Sequence, residues 1–465
     1  MLCESRVNIA THFCLCCQQG SAALFSYSVG VLLLKALSAK TVLWSLWATA
    51  VIGLSVWLSW PLIFEEQQDI FLAGAATHGH HQIELACNAC HTSPFGGKEV
   101  LQSACIACHG AELKAVSDSH PTKKFTDPRN ADRIERLDAR YCIACHAEHQ
   151  LERTRPMGVT LPEDFCFECH EDVGRERPSH AGIGFETCAS AGCHNFHDNL
   201  ALYEDFLLKH SSDPWLLETQ RILERPSQRE DLAERVEPDA PDSVVADEAP
   251  TADWQHSAHA AAGVNCSDCH GSEQQWQPKP LQSVCAGCHE RQFEGFTAGK
   301  HGMRLAQGLS PMVVDQARIA MKPEAGHREL TCNSCHSAHA YDRQVAAVDS
   351  CQSCHDSEHS RNYAQSAHAG LETPVTCATC HMPRQESPDG GFHVQHNQSD
   401  NLRPNEKMIR SVCLDCHGLG FAIDALADQA LIDRNFTGRP ALHVESIDMA
   451  VDRAKAAPTL DNSYQ

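Results

Sequence analysis

The longest apolar run in the sequence covers residues 41–64, which carry no charged side chain. A helix of about 20 apolar residues is long enough to span the hydrocarbon core of a bilayer. Tryptophan is favoured at both membrane–water interfaces. The run therefore predicts a transmembrane helix, with tryptophans toward its ends at Trp44, Trp47, Trp57 and Trp60.

The charges beside this run predict its orientation. Lys35 and Lys40 precede the run, whereas Glu65, Glu66 and Asp69 follow it. Because cytoplasmic flanks are enriched in basic residues, the N-terminus is expected in the cytoplasm and the rest of the chain in the periplasm. The alternative is a cleaved signal peptide with a small-residue site at 73–75, but signal sequences usually have apolar cores of only about 7–15 residues. We expect a single-pass anchor in the cytoplasmic (inner) membrane.

After the anchor, the sequence shows almost no sustained alternation of apolar and polar residues. Strands with one buried face require such a period of two, so sheet should be minor. Residues 211–253 are rich in acidic residues, Pro and Ala. Such a composition favours a flexible, extended linker. The pattern predicts a mostly α and irregular fold, divided by this linker.

The composition changes this picture, because the chain has 26 Cys and 30 His but only 6% aromatic residues. A large apolar core is not expected, so something other than side chains should fill the interior. The formal net charge of −23 argues against nucleic acid as a partner.

Twenty-two of the cysteines form eleven pairs, and His follows each pair directly. The other four, before the apolar run, are predicted to be cytoplasmic thiols: Cys3, Cys14, Cys16 and Cys17. Ten pairs have the spacing C-x-x-C-H, and the Cys188–Cys193 pair has two additional intervening residues. The eleven motifs are Cys87, Cys90, His91; Cys105, Cys108, His109; Cys142, Cys145, His146; Cys166, Cys169, His170; Cys188, Cys193, His194; Cys266, Cys269, His270; Cys285, Cys288, His289; Cys332, Cys335, His336; Cys351, Cys354, His355; Cys377, Cys380, His381; and Cys413, Cys416, His417.

This spacing predicts eleven covalently attached haems c. Two intervening residues let both sulfurs reach the vinyl groups of one porphyrin edge, and the next residue then supplies the proximal imidazole. Zinc knuckles make no demand on the residue after the second Cys. Structural disulfides do not explain the regular His either. Each motif is therefore predicted to provide two thioethers and one proximal iron ligand.

The motifs form two blocks, five between Cys87 and His194 and six between Cys266 and His417. This density leaves no room for a side-chain core, so the haems should form the core of each block. The predicted organisation is a cytoplasmic segment at 1–40, the anchor at 41–64, a pentahaem module at 75–210, the linker at 211–253, a hexahaem module at 254–425 and a C-terminal tail at 426–465.

Both blocks contain more spare histidines than haems, so every sixth iron position can be filled by imidazole. In the first block we expect His78, His81, His120, His149 and His180 as distal ligands, with His197 as a rival. In the second block the expected distal ligands are His256, His259, His301, His339, His368 and His396, with His327, His359 and His393 as rivals.

The first block, from THGHHQIELACNACH to GCHNFH, resembles the class III (tetrahaem) cytochromes c and their relatives with doubled C-x-x-C-H motifs. The resemblance implies low-potential electron carriers with two His ligands per haem. It departs in having five motifs.

The second block resembles the superfamily of ammonia-forming nitrite reductases and octahaem hydroxylamine oxidoreductases, through VTCATCHMPR, GFHVQHN and CLDCH. The block has no C-x-x-C-K motif, which those nitrite reductases commonly have at the catalytic haem, and His339 intrudes before Tyr341. The resemblance therefore supports the haem packing more than the chemistry.

These features favour an electron carrier of anaerobic respiration, between the quinone pool or a quinol-oxidising membrane protein and a periplasmic redox protein. One alternative is a terminal oxidoreductase for a small nitrogen or sulfur compound, such as nitrite or hydroxylamine, at a five-coordinate haem in the second block. Arg304, Tyr341 and Tyr363 are then the pocket candidates. Another alternative is a haem-rich scaffold within a larger respiratory complex.

Overall fold

The computed structural model describes residues 39–63, 65–118, 120–162, 165–176, 180, 196–198, 204–219, 237–245, 248–342, 344–388, 390–402 and 405–456. The chain divides into two units, Met1–Phe71 and Leu72–Gln465.

The first unit contains the helix Ala39–Ile63, followed by the 3-10 helix Glu65–Phe71. Among the described residues this is the one helix long and apolar enough to cross a membrane. Apolar side chains face outward all around it, and Trp44, Trp47 and Trp57 are each more than half exposed. A helix that is apolar on every side satisfies its own backbone and suits a lipid environment. The expected apolar helix is therefore present.

The second unit consists mainly of short helices joined by irregular segments. Its α-helices are Cys87–Cys90, Lys98–Ala115, Thr122–Phe125, Ala131–Arg136, Phe167–His170, Val173–Glu176, Glu204–His210, Asp242–Val245, Glu248–Gln255, Ala258–Ala261, Cys266–His270, Gln282–Ala286, Glu290–Ala298, Met303–Ala306, Ser350–Gln352, Glu358–Arg361, Cys377–His381, Gln398–Leu402, Lys407–Ser411, Leu419–Ala427, Gln429–Asp433 and Ser446–Ala456.

Short 3-10 helices and one π-helix connect these elements. The described residues contain a single β-hairpin. The 3-10 helices are His81–Ile83, Pro128–Asn130, Cys142–Ala144, Leu151–Arg153, Pro156–Gly158, Glu273–Gln275, Val314–Gln316, Pro323–Ala325, Cys332–Ser334, Tyr363–Gln365 and Cys413–Asp415, and Val345–Asp349 is a π-helix. Strands β1 (Arg384–Glu386) and β2 (Phe392–Val394) pair antiparallel, with Gln385 opposite His393. The predicted fold class, mostly helical and irregular with minor sheet, is confirmed.

Side chains form only small apolar clusters in the described part of the second unit. The larger cluster contains Leu207, Ile409, Leu419, Ala422, Ile423 and Ile447. It joins the helix Glu204–His210 to three C-terminal helices. Ile447 belongs to the helix Ser446–Ala456, so this part of the predicted tail packs against the rest of the chain. A core of this size is far smaller than the unit it serves, as expected where haems fill the interior.

The start of the predicted linker contacts the last haem motif. The backbone N–H of Leu217 donates to the carbonyl of Cys416 at 2.9 Å, and that of Gly418 donates to Trp215 at 3.1 Å. A Cβ atom on Gly418 would collide with the carbonyl of Pro214, so the close approach requires glycine. Residues 214–217 therefore form part of the wall around this motif.

Candidate haem-binding sites

Each described motif lies on a helical turn that brings its histidine beside its first cysteine. In six motifs the backbone N–H of the histidine donates to the carbonyl of the first cysteine, four residues earlier, at 2.8–3.0 Å. Residues four apart lie on one face of a helix. The local fold thus places the imidazole on the same side as the sulfur atoms, as covalent haem attachment requires.

Polar caps start some of these turns. Asn265 begins the turn of Cys266, and its own backbone N–H donates to the Asp268 carboxylate at 2.8 Å. Thr376 begins the turn of Cys377, and its hydroxyl accepts from the N–H of Thr379 at 3.2 Å. Such caps satisfy backbone donors that a short helix leaves unpaired.

Eight proximal histidines in the described residues face a second histidine from elsewhere in the chain. Their ring centroids lie 5.9–6.3 Å apart. The pairs, with the proximal histidine second, are His80–His109, His120–His170, His197–His146, His259–His289, His339–His270, His301–His355, His359–His381 and His368–His417.

This spacing fits two axial ligands of one iron. Two imidazoles bound through facing nitrogens, with metal–nitrogen bonds of about 2 Å, have ring centroids about 6 Å apart. Two histidines that merely stack in a core have no reason to repeat this distance eight times. The residues present therefore fit haem, with one imidazole supplied by the motif and one by a distant segment.

Hydrogen bonds fix the orientation of many of these rings. A ring whose Nδ1–H donates to a backbone carbonyl keeps Nε2 unprotonated and available to a metal. The donor and acceptor pairs are His120 to Phe196 (2.6 Å), His146 to Gly158 (3.2 Å), His149 to Gly74 (2.8 Å), His259 to Ala338 (3.1 Å), His270 to Gln277 (2.7 Å), His359 to Ile432 (2.5 Å), His396 to Val394 (2.9 Å) and His417 to Trp215 (3.1 Å).

Burial keeps the deepest of these imidazoles neutral. It lowers the pKa of His301 to about 4, and it also lowers the pKa of His355 and of His368. Because a protonated imidazole has no lone pair for iron, a lowered pKa favours the form that binds metal.

In three histidines of the first block, the group beside Nδ1 is a carboxylate rather than a backbone carbonyl. Glu148 lies 2.6 Å from Nδ1 of His80, Asp118 lies 3.3 Å from Nδ1 of His197, and Glu112 lies 3.4 Å from Nδ1 of His109. The three pairs are His80 with Glu148, His197 with Asp118, and His109 with Glu112. Burial alone would raise the pKa of the Glu148 carboxyl, but hydrogen bonds from His80 and Thr77 outweigh it and lower the pKa to about 2. The hydrogen bond to Glu112 raises the pKa of His109.

Five of the expected distal ligands face a proximal histidine: His120, His259, His301, His339 and His368. Two expected rivals, His197 and His359, do so as well. Among the described residues, no ring contact with a proximal histidine occurs for His78, His81, His149, His256, His327, His393 or His396. The Nε2 atom of His81 is nevertheless buried without a hydrogen-bond partner, as suits a ligand atom.

His80, which faces His109, was not among the distal ligands expected from the sequence. The available signal was a shared spacing, because His80 precedes Cys87 by seven residues and His259 precedes Cys266 by seven. Both histidines face the proximal ligand of the second motif in their block.

The hairpin and a nearby helix place His396 near His336. Repulsion from His396, after burial, lowers the pKa of His336. Gly299, just after the helix Glu290–Ala298, approaches this segment so closely that an added Cβ would lie 3.0 Å from the carbonyl of His396. The glycine thus permits the backbone contact that holds His396.

Basic side chains of the second block bind the segment before the first motif. Lys300, beside His301, donates to the carbonyl of His78 at 3.4 Å and also to that of Gly79. Arg304 donates to the carbonyl of Gln82 at 2.9 Å. Arg318 donates to the carbonyl of Ala76 at 2.8 Å and to the Glu84 carboxylate at 3.1 Å. These contacts join the two blocks next to the His80–His109 and His301–His355 pairs.

The cysteines of consecutive motifs are neighbours throughout the described parts of both blocks. The thiols of Cys105 and Cys142 lie close enough to shift each other's pKa, as do those of Cys285 with Cys332 and Cys351 with Cys377. The remaining consecutive motifs place thiols within electrostatic range: Cys90 and Cys108, Cys145 and Cys166, Cys269 and Cys285, Cys335 and Cys351, and Cys380 and Cys416. Successive attachment sites therefore lie edge to edge.

The stretched motif, Cys188, Cys193 and His194, lies outside the described residues, as do Cys3, Cys14, Cys16 and Cys17. His180 is described but lies between segments that are not.

The family model for cytochrome c3 matches two regions of the chain, residues 79–171 and 258–356. Each region contains four motifs and the histidine seven residues before the first of them. The chain is a multihaem c-type cytochrome. No solved structure matches it.

The two cytochrome c3-like regions form an internal repeat that includes the histidine pairing. We call residues 79–171 the first repeat and residues 258–356 the second repeat. In both, a histidine before the first motif faces the second proximal His, and one between the second and third motifs faces the fourth. Cytochrome c3-like regions of this kind imply electron transfer. The resemblance of the second block to nitrite reductases stays a prediction, and its last two motifs lie beyond the matched region.

Proposed function

We propose that this cytochrome is anchored in the cytoplasmic membrane and conducts electrons between the quinone pool and a periplasmic redox protein, through eleven haems c. The observation that carries the proposal is the set of eight facing histidine pairs. Haem supplies reversible one-electron chemistry, and two strong-field imidazoles leave its iron no position for a substrate. Such sites suit conduction rather than catalysis.

The proposed distal ligands follow the facing pairs and the repeat. His339 faces His270, and His149 occupies the same place in the first repeat, three residues after the third proximal histidine. We therefore assign His149 to the motif of His91. By the same reasoning, His396 serves His336 as His197 serves His146. The expectations for His78, His81, His180 and His256 remain predictions.

The neighbouring attachment sites support an ordered path within each block. Thiols of consecutive motifs lie side by side from Cys90 to Cys166 and from Cys269 to Cys416. Each thioether marks one porphyrin edge, so the chain itself sets the order of the cofactors. The contacts of Lys300 favour a junction between the blocks at the His80–His109 and His301–His355 pairs.

The helix Ala39–Ile63 and the flanking charges support the anchor and its orientation. The net charge of −23 favours a cationic periplasmic partner. The two-module organisation around a linker at 211–253 is part of the same proposal.

Electron paramagnetic resonance of the oxidised full-length protein in detergent, with intact mass for the haem count, tests this proposal. We expect low-spin ferric signals to account for all haems, and a mass that includes eleven. A stoichiometric high-spin signal that shifts on addition of nitrite or hydroxylamine would instead favour the terminal oxidoreductase, with its open haem in the second block.

A further inference from the structure

The two repeats differ in the group that contacts the distal histidine of their second motif. In the first repeat, Nδ1 of His80 lies 2.6 Å from Oε1 of Glu148. In the second repeat, the ring of His259 donates to the backbone carbonyl of Ala338 at 3.1 Å. A carboxylate side chain thus replaces a neutral peptide oxygen at one of two corresponding sites.

Glu148 and Ala338 occupy the same position in their repeats. Glu148 lies in the sequence CHAEH and Ala338 in CHSAH, each two residues after the third proximal histidine. At this position the two sites differ by one side chain on a shared local framework, so each repeat provides a control for the other.

Further hydrogen bonds hold the Glu148 carboxylate in place. It accepts from the backbone N–H of Thr77 at 2.8 Å and from the Thr77 hydroxyl at 2.9 Å. Its side chain is only 27% exposed. A carboxylate with these donors is fixed against His80 rather than free to rotate into solvent.

The histidine opposite His80 shows the same difference between repeats. Nδ1 of His109 lies 3.4 Å from Glu112, three residues later. The corresponding residue after His289 is Gln292, which carries no charge. In the described residues no carboxylate is hydrogen-bonded to His259 or His289.

A carboxylate at Nδ1 makes an imidazole a stronger donor to a metal on Nε2, because it draws the Nδ1 proton toward itself. It also adds negative charge close to the iron, which favours the ferric over the ferrous state. A backbone carbonyl orients the ring similarly but brings no net charge.

We propose that Glu148 lowers the reduction potential of the haem held by His80 and His109 below that of its counterpart held by His259 and His289, which favours electron flow from the first repeat toward the second. The proposal rests on the ligand assignment made under the proposed function. It makes Glu148 a positioning and tuning residue that acts through His80.

The decisive variants exchange the two environments in the full-length protein. Glu148→Gln keeps the shape and removes the charge, Glu148→Ala introduces the residue that the second repeat has at this position, and Ala338→Glu introduces the carboxylate beside His259. Thr77→Val is the matched control, because it removes a hydrogen bond to Glu148 but leaves the charge.

The measurement is a spectroelectrochemical titration followed by electron paramagnetic resonance, with intact mass to verify haem content. We expect Glu148→Gln and Glu148→Ala to raise the potential of one low-spin haem, with Thr77→Val close to the parent. The haem whose potential rises should be the same haem whose low-spin signal disappears in His80→Ala. Ala338→Glu should lower the potential of one different haem.

Unchanged potentials in Glu148→Gln, with all haems retained and low-spin, would overturn the tuning role while leaving the carrier function intact. If Glu148→Gln does not fold, Ala338→Glu decides the matter, and an unshifted potential there overturns the proposal. Retention of every low-spin signal in His80→Ala would instead refute the assignment of His80 as a distal ligand, on which the tuning role rests.

Discussion

The first and second repeats retain the same histidine pairing, although the segments between their motifs differ. Between the second and third motifs, the first repeat completes the long helix Lys98–Ala115 and then forms short turns. The second repeat has instead the helices Glu290–Ala298 and Met303–Ala306, and from these it contacts the first repeat. Yet His120 and His301 reach the fourth proximal histidine in both. The fold therefore keeps the positions of the iron ligands the same in both repeats, whereas the segments between the motifs differ and make different contacts.

The largest effect is expected from removing the distal histidine that faces the fourth motif, a position that both repeats have in common. His301→Ala and His120→Ala should each convert one low-spin haem to high spin, because each leaves the fourth iron of its repeat with one imidazole. Electron paramagnetic resonance of the two variants checks this. Retention of the low-spin signal in only one of them would break the equivalence of the repeats. His443→Ala, which changes no facing pair, is the control.

The second-largest effect concerns the stretched motif, which belongs to the first block but lies outside the first repeat. Replacing both Cys188 and Cys193 with Ser should reduce the intact mass by one haem beyond the side-chain change, because both thioethers are removed. The regular pair Cys377 and Cys380, added by the second block, is the control. An unchanged haem count in the stretched variant alone would mean that the wide spacing does not support attachment and that the chain holds ten haems.

A smaller effect is expected where the repeats meet. Arg318→Ala removes hydrogen bonds to the Ala76 carbonyl and to Glu84, both partly buried. Loss of such charge-assisted bonds costs about 1–3 kcal/mol. We expect faster proteolysis of residues 72–86 and a lower urea midpoint. Arg361→Ala breaks the more exposed pair with Asp356 and should change little. Equal effects of the two changes would argue against a stabilising contact between repeats.

The smallest effect is expected from the ion pairs of His443 with Asp424 and Asp448, at the C-terminal end of the second block and in the tail that follows it. Asp424 and then Asp448 raise the pKa of His443 to about 9. Because the folded pKa lies above the unfolded value of about 6.5, this stabilisation is complete below that pH and disappears as the pH rises through about 9. The pair is exposed, so we expect under about 1 kcal/mol. His443→Gln should lower the urea midpoint at pH 6 and leave it unchanged at pH 10.

Much of the fold class and the attachment chemistry could be predicted, because local spacing determines both. The C-x-x-C-H turns and the absence of alternation depend on residues close in sequence. Distal partners could not be predicted in the same way, since Phe196, which orients His120, is 76 positions away from it. His80 was missed because neighbouring His78 and His81 have the helical spacing that suggested ligands. The contact of Arg318 with Glu84 spans 234 positions, and no local pattern encodes it.

The adjacency of cysteines from consecutive motifs also constrains how the protein is made. Before haem is attached, the neighbouring Cys105 thiol lowers the pKa of the Cys142 thiol and so favours its thiolate form. Cys332 has the same effect on Cys285. A thiolate beside another cysteine is poised for disulfide formation in an oxidising compartment. We therefore expect that a polypeptide that becomes compact before haem attachment is prone to disulfides between motifs, which early haem attachment would prevent.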